Sequence, residues 1–178
     1  FAGGGLFVIW PIVYSMSFSG MYAAMLIILF SFFLRPPGYE YRNKIQSHRW
    51  RRMWDVALFI SGAVPVFVFG VALGNCFLGF PFHMDPLFFR QFYTGTFWQL
   101  LSPFALLAGT VSVLLVLMHC SVYLQRRTEG HLRVLARKVH IVTAILLLIG
   151  FTIAGLLLMY HVNGYTLVKS PVDATEHL

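Results

Sequence analysis

The sequence has 178 residues, of which 58% are hydrophobic and 11% are charged, against roughly 25% charged residues in soluble domains. A soluble domain of this length cannot bury long charge-free runs, whereas a bilayer accepts about 20 apolar residues per helix. The net charge of +7 does not indicate a nucleic-acid partner, because the basic residues lie beside apolar spans. The chain is predicted to be a polytopic membrane protein, and the runs that carry no Lys, Arg, Asp or Glu are residues 1–34, 56–84, 91–125 and 141–160.

The first run is too long for one membrane crossing and too short for two. Residues 1–34 would form a helix of about 51 Å at 1.5 Å per residue, against a hydrocarbon core of ~30 Å. The serines and the glycine of residues 15–20 predict a tight turn between a first segment at 1–14 and a second at about 18–34. Since the sequence opens inside apolar residues, we expect the first segment to be truncated and the chain to be a fragment.

The second segment is predicted to end at Leu34. Arg35 precedes Pro36, and a residue before proline is disfavoured in the α region. Residues 35–53 then form a basic connector, which leads into two aromatic residues suited to the membrane interface, Trp50 and Trp54.

Three further segments follow in chain order. The third spans about 54–73, with Pro65 as a predicted kink, and a connector at 74–96 is rich in Gly, Pro and Phe. The fourth spans about 97–124 and the fifth about 139–160, with a second basic connector at 125–138 between them. The predicted fold class is therefore all-α, a single transmembrane domain over residues 1–178 with about five membrane segments, the first truncated.

The basic residues predict the orientation. Eleven of the 13 lie in the connectors 35–53 and 125–138, and the other two are Arg90 and Lys169. The positive-inside rule places both rich connectors on the cytoplasmic side. An even number of segments separates them, which is consistent with one common side.

Arg35 and Glu40 are the first candidate site. A turn at Pro36-Pro37-Gly38 would bring them close enough to pair, and ionisable groups at membrane depth are candidates for proton transfer. In the alternative interpretation Arg35 extends to lipid headgroups and Glu40 is an ordinary loop acid. Asp55 is expected at a hydrated helix N-terminus, favoured by the helix dipole. Conventional catalytic and nucleotide-binding motifs are absent from the sequence.

Two histidines support a different function. His119 and His140 fall at similar predicted depth on neighbouring segments, where they would ligate a haem iron from both faces. His161 and His83 would form a second pair, on weaker grounds. The alternative role for each is a hydrogen bond within the bundle. One hypothesis is thus a self-contained b-type electron-transfer cytochrome, and another is a transporter or assembly protein without redox chemistry.

Several long motifs resemble subunit II of the cytochrome bd quinol oxidases. The resemblance extends over almost the whole chain up to Tyr165, well beyond hydropathy. The motifs include Ala2-Gly3-Gly4-Gly5-Leu6-Phe7, Trp10-Pro11, Phe18-Ser19-Gly20-Met21-Tyr22, Arg35-Pro36-Pro37-Gly38-Tyr39-Glu40-Tyr41-Arg42, Met53-Trp54-Asp55, Tyr93-Thr94-Gly95, Gln99-Leu100-Leu101 and Leu106-Leu107-Ala108-Gly109.

The resemblance implies a function that composition does not reveal. Members of the family oxidise quinol and reduce dioxygen to water in the bacterial cytoplasmic membrane. Their haems, of types b and d, are held by subunit I. This chain is then expected to hold no haem or metal, to scaffold subunit I among membrane lipid, and to help deliver protons. His119 and His140 return to hydrogen-bonding roles. A small accessory subunit and a structural quinone are left open.

The resemblance also assigns site residues. Arg35 and Glu40 match a basic and an acidic residue near the cytoplasmic mouth of the family's proton path, and Trp10 lies on a helix that lines it. A further acid of the family, within a Trp-Asp-Gly stretch, would lie upstream of Phe1. The chain is accordingly expected to be a fragment of the N-terminal half of the subunit.

Overall fold

The structure, a computed structural model, describes residues 2–79, 82–84, 91–93 and 95–161. Two strands of three residues, β1 (Phe82–Met84) and β2 (Gln91–Tyr93), pair antiparallel, and a short 3₁₀ helix covers Phe97–Leu101. All the remaining regular structure within these ranges is α-helical, which confirms the predicted fold class. The helices are α1 (Ala2–Ile9), α2 (Pro11–Gly20), α3 (Tyr22–Phe33), α4 (Arg35–Tyr41), α5 (His48–Leu78), α6 (Pro103–Arg127) and α7 (His131–His161).

Four helical segments are long and apolar enough to cross a membrane. Their bounds are Tyr22–Tyr41, His48–Leu78, Pro103–Arg127 and His131–Tyr160. They correspond to the second to fifth predicted segments, so the prediction of a polytopic membrane bundle is confirmed. The first predicted segment is represented by α1 and α2, of 8 and 10 residues, each shorter than the about 20 that a crossing needs.

The predicted tight turn at residues 15–20 is wrong. Helix α2 runs through this stretch, and the chain breaks at Trp10 instead, where Pro11 begins α2. Serine can bond back to a carbonyl one turn earlier and so need not end a helix, as Ser31 does with Ile27 at 2.8 Å. Met21 N–H donates to the Ser17 carbonyl at 3.0 Å, so α2 leads into α3 without folding back.

The predicted end of the second segment at Leu34 is confirmed, because α3 ends at Phe33 with Leu34 as its C-cap, but the predicted turn at Pro36-Pro37-Gly38 is wrong. Leu34 keeps an α-helical conformation, and α4 continues through Pro36, Pro37 and Gly38. Proline is tolerated in the first turn of a helix, since the N–H that it lacks there has no intrahelical acceptor. Gly38 N–H donates to the Leu34 carbonyl at 3.1 Å.

Both basic connectors are shorter than predicted. Helix α5 begins at His48 and α7 at His131, so most of the basic residues lie on helical turns that extend the apolar spans. Arg and Lys are good helix formers, and no proline interrupts these stretches. The remaining links are residues 42–47 and 128–130, where Gly130 has a φ of +67°.

Small residues bring α5 and α6 close together in antiparallel packing. A Cβ added at Gly70 would lie 2.6 Å from the Ser112 Cβ and 2.8 Å from the Gly109 Cα, and one at Gly74 would lie 2.8 Å from the Ala105 Cα. Such contacts let helix backbones approach within lipid. We call this contact the α5–α6 seam.

Antiparallel packing continues on both sides of the seam. On one side, Arg35 and Gly38 lie against Gly62 and Leu58 of α5. On the other, Gln125 Nε2 of α6 donates to the Ala136 carbonyl of α7 at 3.4 Å. The stretches 35–55 and 125–140 therefore lie at one end of the bundle, which we call the basic end.

Candidate functional site

Two ion pairs lie at the basic end. Arg42 Nε donates to Asp55 Oδ1 at 2.5 Å, and Lys44 Nζ lies 3.5 Å from Glu40 Oε1, one helical turn away. The bond to Asp55 raises the pKa of Arg42 above its ordinary value. All four side chains are exposed to water, so both pairs are screened by salt. Asp55 is exposed to water, but it lies seven residues after the start of α5 at His48, so its predicted place at the helix N-terminus is wrong.

Aromatic residues hold the link 42–47 against α5. Trp50 Nε1 donates to the Tyr41 carbonyl at 2.8 Å. The Tyr41 ring stacks on Trp54 with centroids 6.3 Å apart, and Trp50 meets Trp54 edge-on at 5.7 Å. These contacts fix the end of α4 beside α5 and so place Arg42 next to Asp55.

Arg35 lies deeper in the bundle than these ion pairs. Its guanidinium stands 5.2 Å from the centroid of the Phe32 ring. A Cβ added at Gly62 would lie 3.9 Å from a terminal nitrogen of the same group. Gly62 is seven residues beyond Asp55 on α5, which is about 10 Å along the helix axis. Arg35 is therefore a cation placed within a membrane-spanning segment, over an aromatic face.

The predicted pairing of Arg35 with Glu40 is wrong. Glu40 pairs with Lys44 and is 68% exposed, while Arg35 contacts Phe32. Both lie on helix α4, where residues five apart point to different faces; a turn would have been needed to bring them together. Their predicted place on a proton path stays a prediction.

Trp10 is not brought near Arg35 or Glu40. It stands between α1 and α2 and is 59% exposed. Helices α2 and α3 separate it from Arg35, and their 10 and 12 residues span about 33 Å. If Trp10 lines a proton path, it does so at a different depth.

His119 and His140 lie at nearly the same level, as predicted. Gln125 of α6 faces Ala136 of α7, and the two helices are antiparallel. His119 lies six residues before Gln125, so it faces the level of position 142, six residues after Ala136. His140 is two residues from that position, which is about 3 Å along the helix axis. The His119 side chain is exposed, whereas His140 is half-buried; its Nδ1 is enclosed and has no partner among the described residues. The side chains of His83 and His161 lie outside the described residues.

A haem with two histidine ligands needs both imidazoles to face one cavity. Neither His119 nor His140 lines the apolar cavity of about 620 Å³ that opens between α5, α6 and α7. In the part of the chain that the structure describes, no group of three or more His, Cys, Asp or Glu side chains is arranged to hold a metal ion.

That apolar cavity was not foreseen from the sequence. It is lined almost wholly by apolar side chains, and its size and lining suit a hydrocarbon chain. The sequence signal for it is the set of small residues that leave room between larger ones, namely Gly70, Ala108, Ala154 and Gly155.

A second, polar cleft opens at the basic end. Its volume is about 430 Å³, and its lining residues are Arg42, His48, Arg51, Arg52 and Asp55. Four of the five carry a cationic or titratable nitrogen group, and Asp55 is bound by Arg42. The cleft was also missed in the sequence, because it forms only when the link 42–47 folds over the first turns of α5.

A bundle of apolar spans, with the ion pairs of the described residues at one end, defines a polytopic helical membrane protein. Comparison with known families then specifies which one: the family model described as "Cytochrome bd terminal oxidase subunit II" matches residues 1–174. The chain belongs to this family, and the resemblance identified from its motifs is confirmed.

Individual relatives agree. The chain is 49% identical over 172 residues to "Cytochrome bd-I ubiquinol oxidase subunit 2" of Escherichia coli K12, covering 97% of this chain and 45% of that protein. It is 48% identical, with the same coverage, to "Probable cytochrome oxidase subunit 2" of Haemophilus influenzae. The Bacillus subtilis "Cytochrome bd ubiquinol oxidase subunit 2" is 28% identical over 76% of this chain and 38% of its own length. The chain thus spans about half the length of the curated relatives it matches.

Proposed function

We propose that this chain is part of the non-haem membrane subunit of a bd-type terminal quinol oxidase, which couples quinol oxidation to the reduction of dioxygen to water. Its roles are to scaffold a haem-bearing subunit I and to help deliver protons from the cytoplasm. The observation that carries the proposal is the family match over residues 1–174, together with relatives named as subunit 2 of ubiquinol oxidases.

The scaffold role is supported by how little of the bundle is enclosed by the chain itself. Helix α7 packs against α6 on one side, and large apolar residues of α7 outside the cavity between α5, α6 and α7 are exposed, Met159 at 65% and Ile149 at 52%. Within a membrane, such faces contact either lipid or another helix. Subunit I and surrounding lipid are the proposed neighbours, and a small accessory subunit would use the same kind of surface.

The proton role is supported by the positions of Glu40 and Arg35. Glu40 is an exposed acid at the basic end, in contact with water. Arg35 has an exposed side chain and lies further along the bundle beside Phe32 and Gly62, where its positive charge would stabilise an anionic proton acceptor. The proposed order along the path is Glu40 first and Arg35 second, with Trp10 at a separate level.

Haems b and d are proposed to reside in subunit I, where they would supply the electron transfer to dioxygen. Quinol is the substrate of the whole complex. The apolar cavity between α5, α6 and α7 fits the isoprenoid tail of a structural quinone as well as an acyl chain. The residues of this chain are proposed to pack against subunit I and to keep the proton path hydrated, and no haem ligand is proposed among them.

The proposed location is the bacterial cytoplasmic membrane. The connectors at 35–53 and 125–138 would face the cytoplasm, since they hold eleven of the 13 basic residues. Their position at one end of the bundle supports a common side for both.

A reduced-minus-oxidised visible spectrum tests the proposal against the b-type cytochrome. The complex purified from native membranes should show haem signals that stay unchanged in His119→Ala and in the control His131→Ala, an exposed histidine of α7. After the chain is separated from its partner, it should show no Soret band. A Soret band of the separated chain that His119→Ala abolishes would overturn the scaffold assignment.

A further inference from the structure

The polar cleft at the basic end carries unbalanced positive charge. Arg42 and Asp55 neutralise each other. Within the described residues, neither Arg51 nor Arg52 has an acidic partner within salt-bridge distance, and His48 lines the same cleft of about 430 Å³. The cleft therefore holds about two uncompensated cations around a space large enough for a phosphate group.

The first turn of α5 strengthens this imbalance. It contains no acidic residue, and the Ser47 side chain does not cap it. Cations beside the positive end of a helix dipole are unfavourable, whereas an anion there is favourable. Arg51 and Arg52 are thus placed where a bound anion would offset both their mutual repulsion and the helix dipole.

The bond to Asp55 orients the Arg42 guanidinium so that it can also bind an anion. Its Nε donates to Asp55 Oδ1, which leaves the terminal N–H groups of the guanidinium available as donors. Arginine binds phosphate oxygens in a bidentate manner, with defined geometry. A phosphate in the cleft would then meet three guanidinium groups, those of Arg42, Arg51 and Arg52.

An apolar strip continues from the cleft toward the middle of the bundle. Val56 and Phe59 follow Arg52 by four and seven residues on α5, so they share its face of the helix. Both are exposed, Phe59 at 71%. Trp50 and Trp54 stand at the same level as the cleft, as aromatic residues do at a membrane interface. A cationic cleft at the membrane interface, followed by an apolar strip toward the membrane interior, is complementary to an anionic amphiphile and not only to a free ion.

We propose that this cleft binds the phosphate of an anionic phospholipid, with its acyl chains along Val56 and Phe59. Basic pockets between membrane helices are suited to anionic headgroups. The site requires only that the helices span a membrane, so it does not depend on the proposed oxidase function. Its test therefore fails or succeeds separately from the haem spectrum.

Native mass spectrometry of the protein, purified from its own membranes in mild detergent, tests the site. The preparation is titrated with phosphatidylglycerol and, separately, with phosphatidylcholine. Arg51→Gln with Arg52→Gln should weaken phosphatidylglycerol binding roughly tenfold or more and leave phosphatidylcholine binding unchanged. The control pair Arg126→Gln with Arg127→Gln removes the same charge at the same end, outside the cleft, and should bind as the unaltered protein does.

Two further arms keep the result interpretable. Arg51→Lys with Arg52→Lys keeps the charge but loses the bidentate geometry, so its phosphatidylglycerol affinity should lie between those of the Gln pair and the unaltered protein; if it binds as weakly as the Gln pair, charge is not the cause and the proposal is wrong. Inorganic phosphate at millimolar concentration should not displace phosphatidylglycerol, because the acyl chains add contacts. Full displacement would assign the cleft to a free anion and overturn the lipid, as would equal phosphatidylglycerol affinity in the Gln pair and its control.

Discussion

The α5–α6 seam and the basic end are built on opposite principles. In the seam, Gly70 and Gly74 let two backbones meet with no room for a Cβ, and Asn75 donates from within to the Val71 and Leu100 carbonyls at 2.9 and 2.7 Å. At the basic end, the side chains are long, charged and exposed. The seam does not tolerate larger side chains. The basic end has room for other side chains, but its interactions depend on their charges.

This difference separates stability from function. A membrane provides no hydrophobic drive between helices, so close packing must hold them together. Charged groups in water contribute little to that, because salt and water screen them. The shape of the bundle is therefore expected to depend on the seam, and proton or ligand exchange on the basic end.

The largest stability effect is expected at Gly70. Gly70→Ala places a Cβ 2.8 Å from the Ala108 carbonyl oxygen and from the Gly109 Cα, so a helix backbone must move, at about 3 kcal/mol. The matched control is Gly155→Ala on α7, where nothing lies within 4 Å; it should be neutral or stabilising by up to about 1 kcal/mol. Thermal unfolding in detergent measures both, and equal melting temperatures would show that the seam is not close-packed.

A smaller loss is expected at Asn75. Asn75→Leu removes both hydrogen bonds and leaves the Leu100 carbonyl unpaired, which should cost about 1–2 kcal/mol and loosen the 3₁₀ helix at Phe97–Leu101. Thr152→Val serves as a control, because its hydroxyl donates within α7 to the Leu148 carbonyl at 2.7 Å and is exposed. The same unfolding assay applies. A larger loss for Thr152→Val than for Asn75→Leu would contradict the role given to Asn75.

The smallest change in stability is expected at the Arg42–Asp55 pair. Asp55→Asn should lower the melting temperature less than Asn75→Leu, since both partners are exposed, and the difference from the unaltered protein should shrink as salt is added. Melting curves at low and high ionic strength measure this. A salt-independent loss comparable to that of Gly70→Ala would mean that the basic end also holds the bundle together.

The spans could be predicted from the sequence, but the joints between them could not. Charge-free runs of the right length identify α5, α6 and α7, because lipid selects on composition over about 20 residues. Pro36-Pro37-Gly38 misled the prediction, since the same residues that end a helix also suit the first turn of a new one. That choice decided whether Arg35 and Glu40 face each other.

The site was predictable only in its components. Glu40, Arg35 and Asp55 stand out as rare charges beside apolar runs. Their partners do not, because Arg42 reaches Asp55 across 13 residues, and this contact depends on how Trp50 anchors the link 42–47. The two cavities likewise arise from the packing of separate elements, which no local pattern in the sequence records.

The proposed function requires that the basic end supply protons to a dioxygen-reducing partner. Oxygen consumption by the assembled oxidase with Glu40→Gln tests it most directly, with Glu129→Gln, another exposed acid at the same end, as the control. Glu40→Gln keeps the shape of the side chain but cannot exchange a proton, so turnover should fall roughly tenfold or more at normal haem content, and Glu129→Gln should change nothing. Full turnover in Glu40→Gln, with haem content intact, would contradict the account.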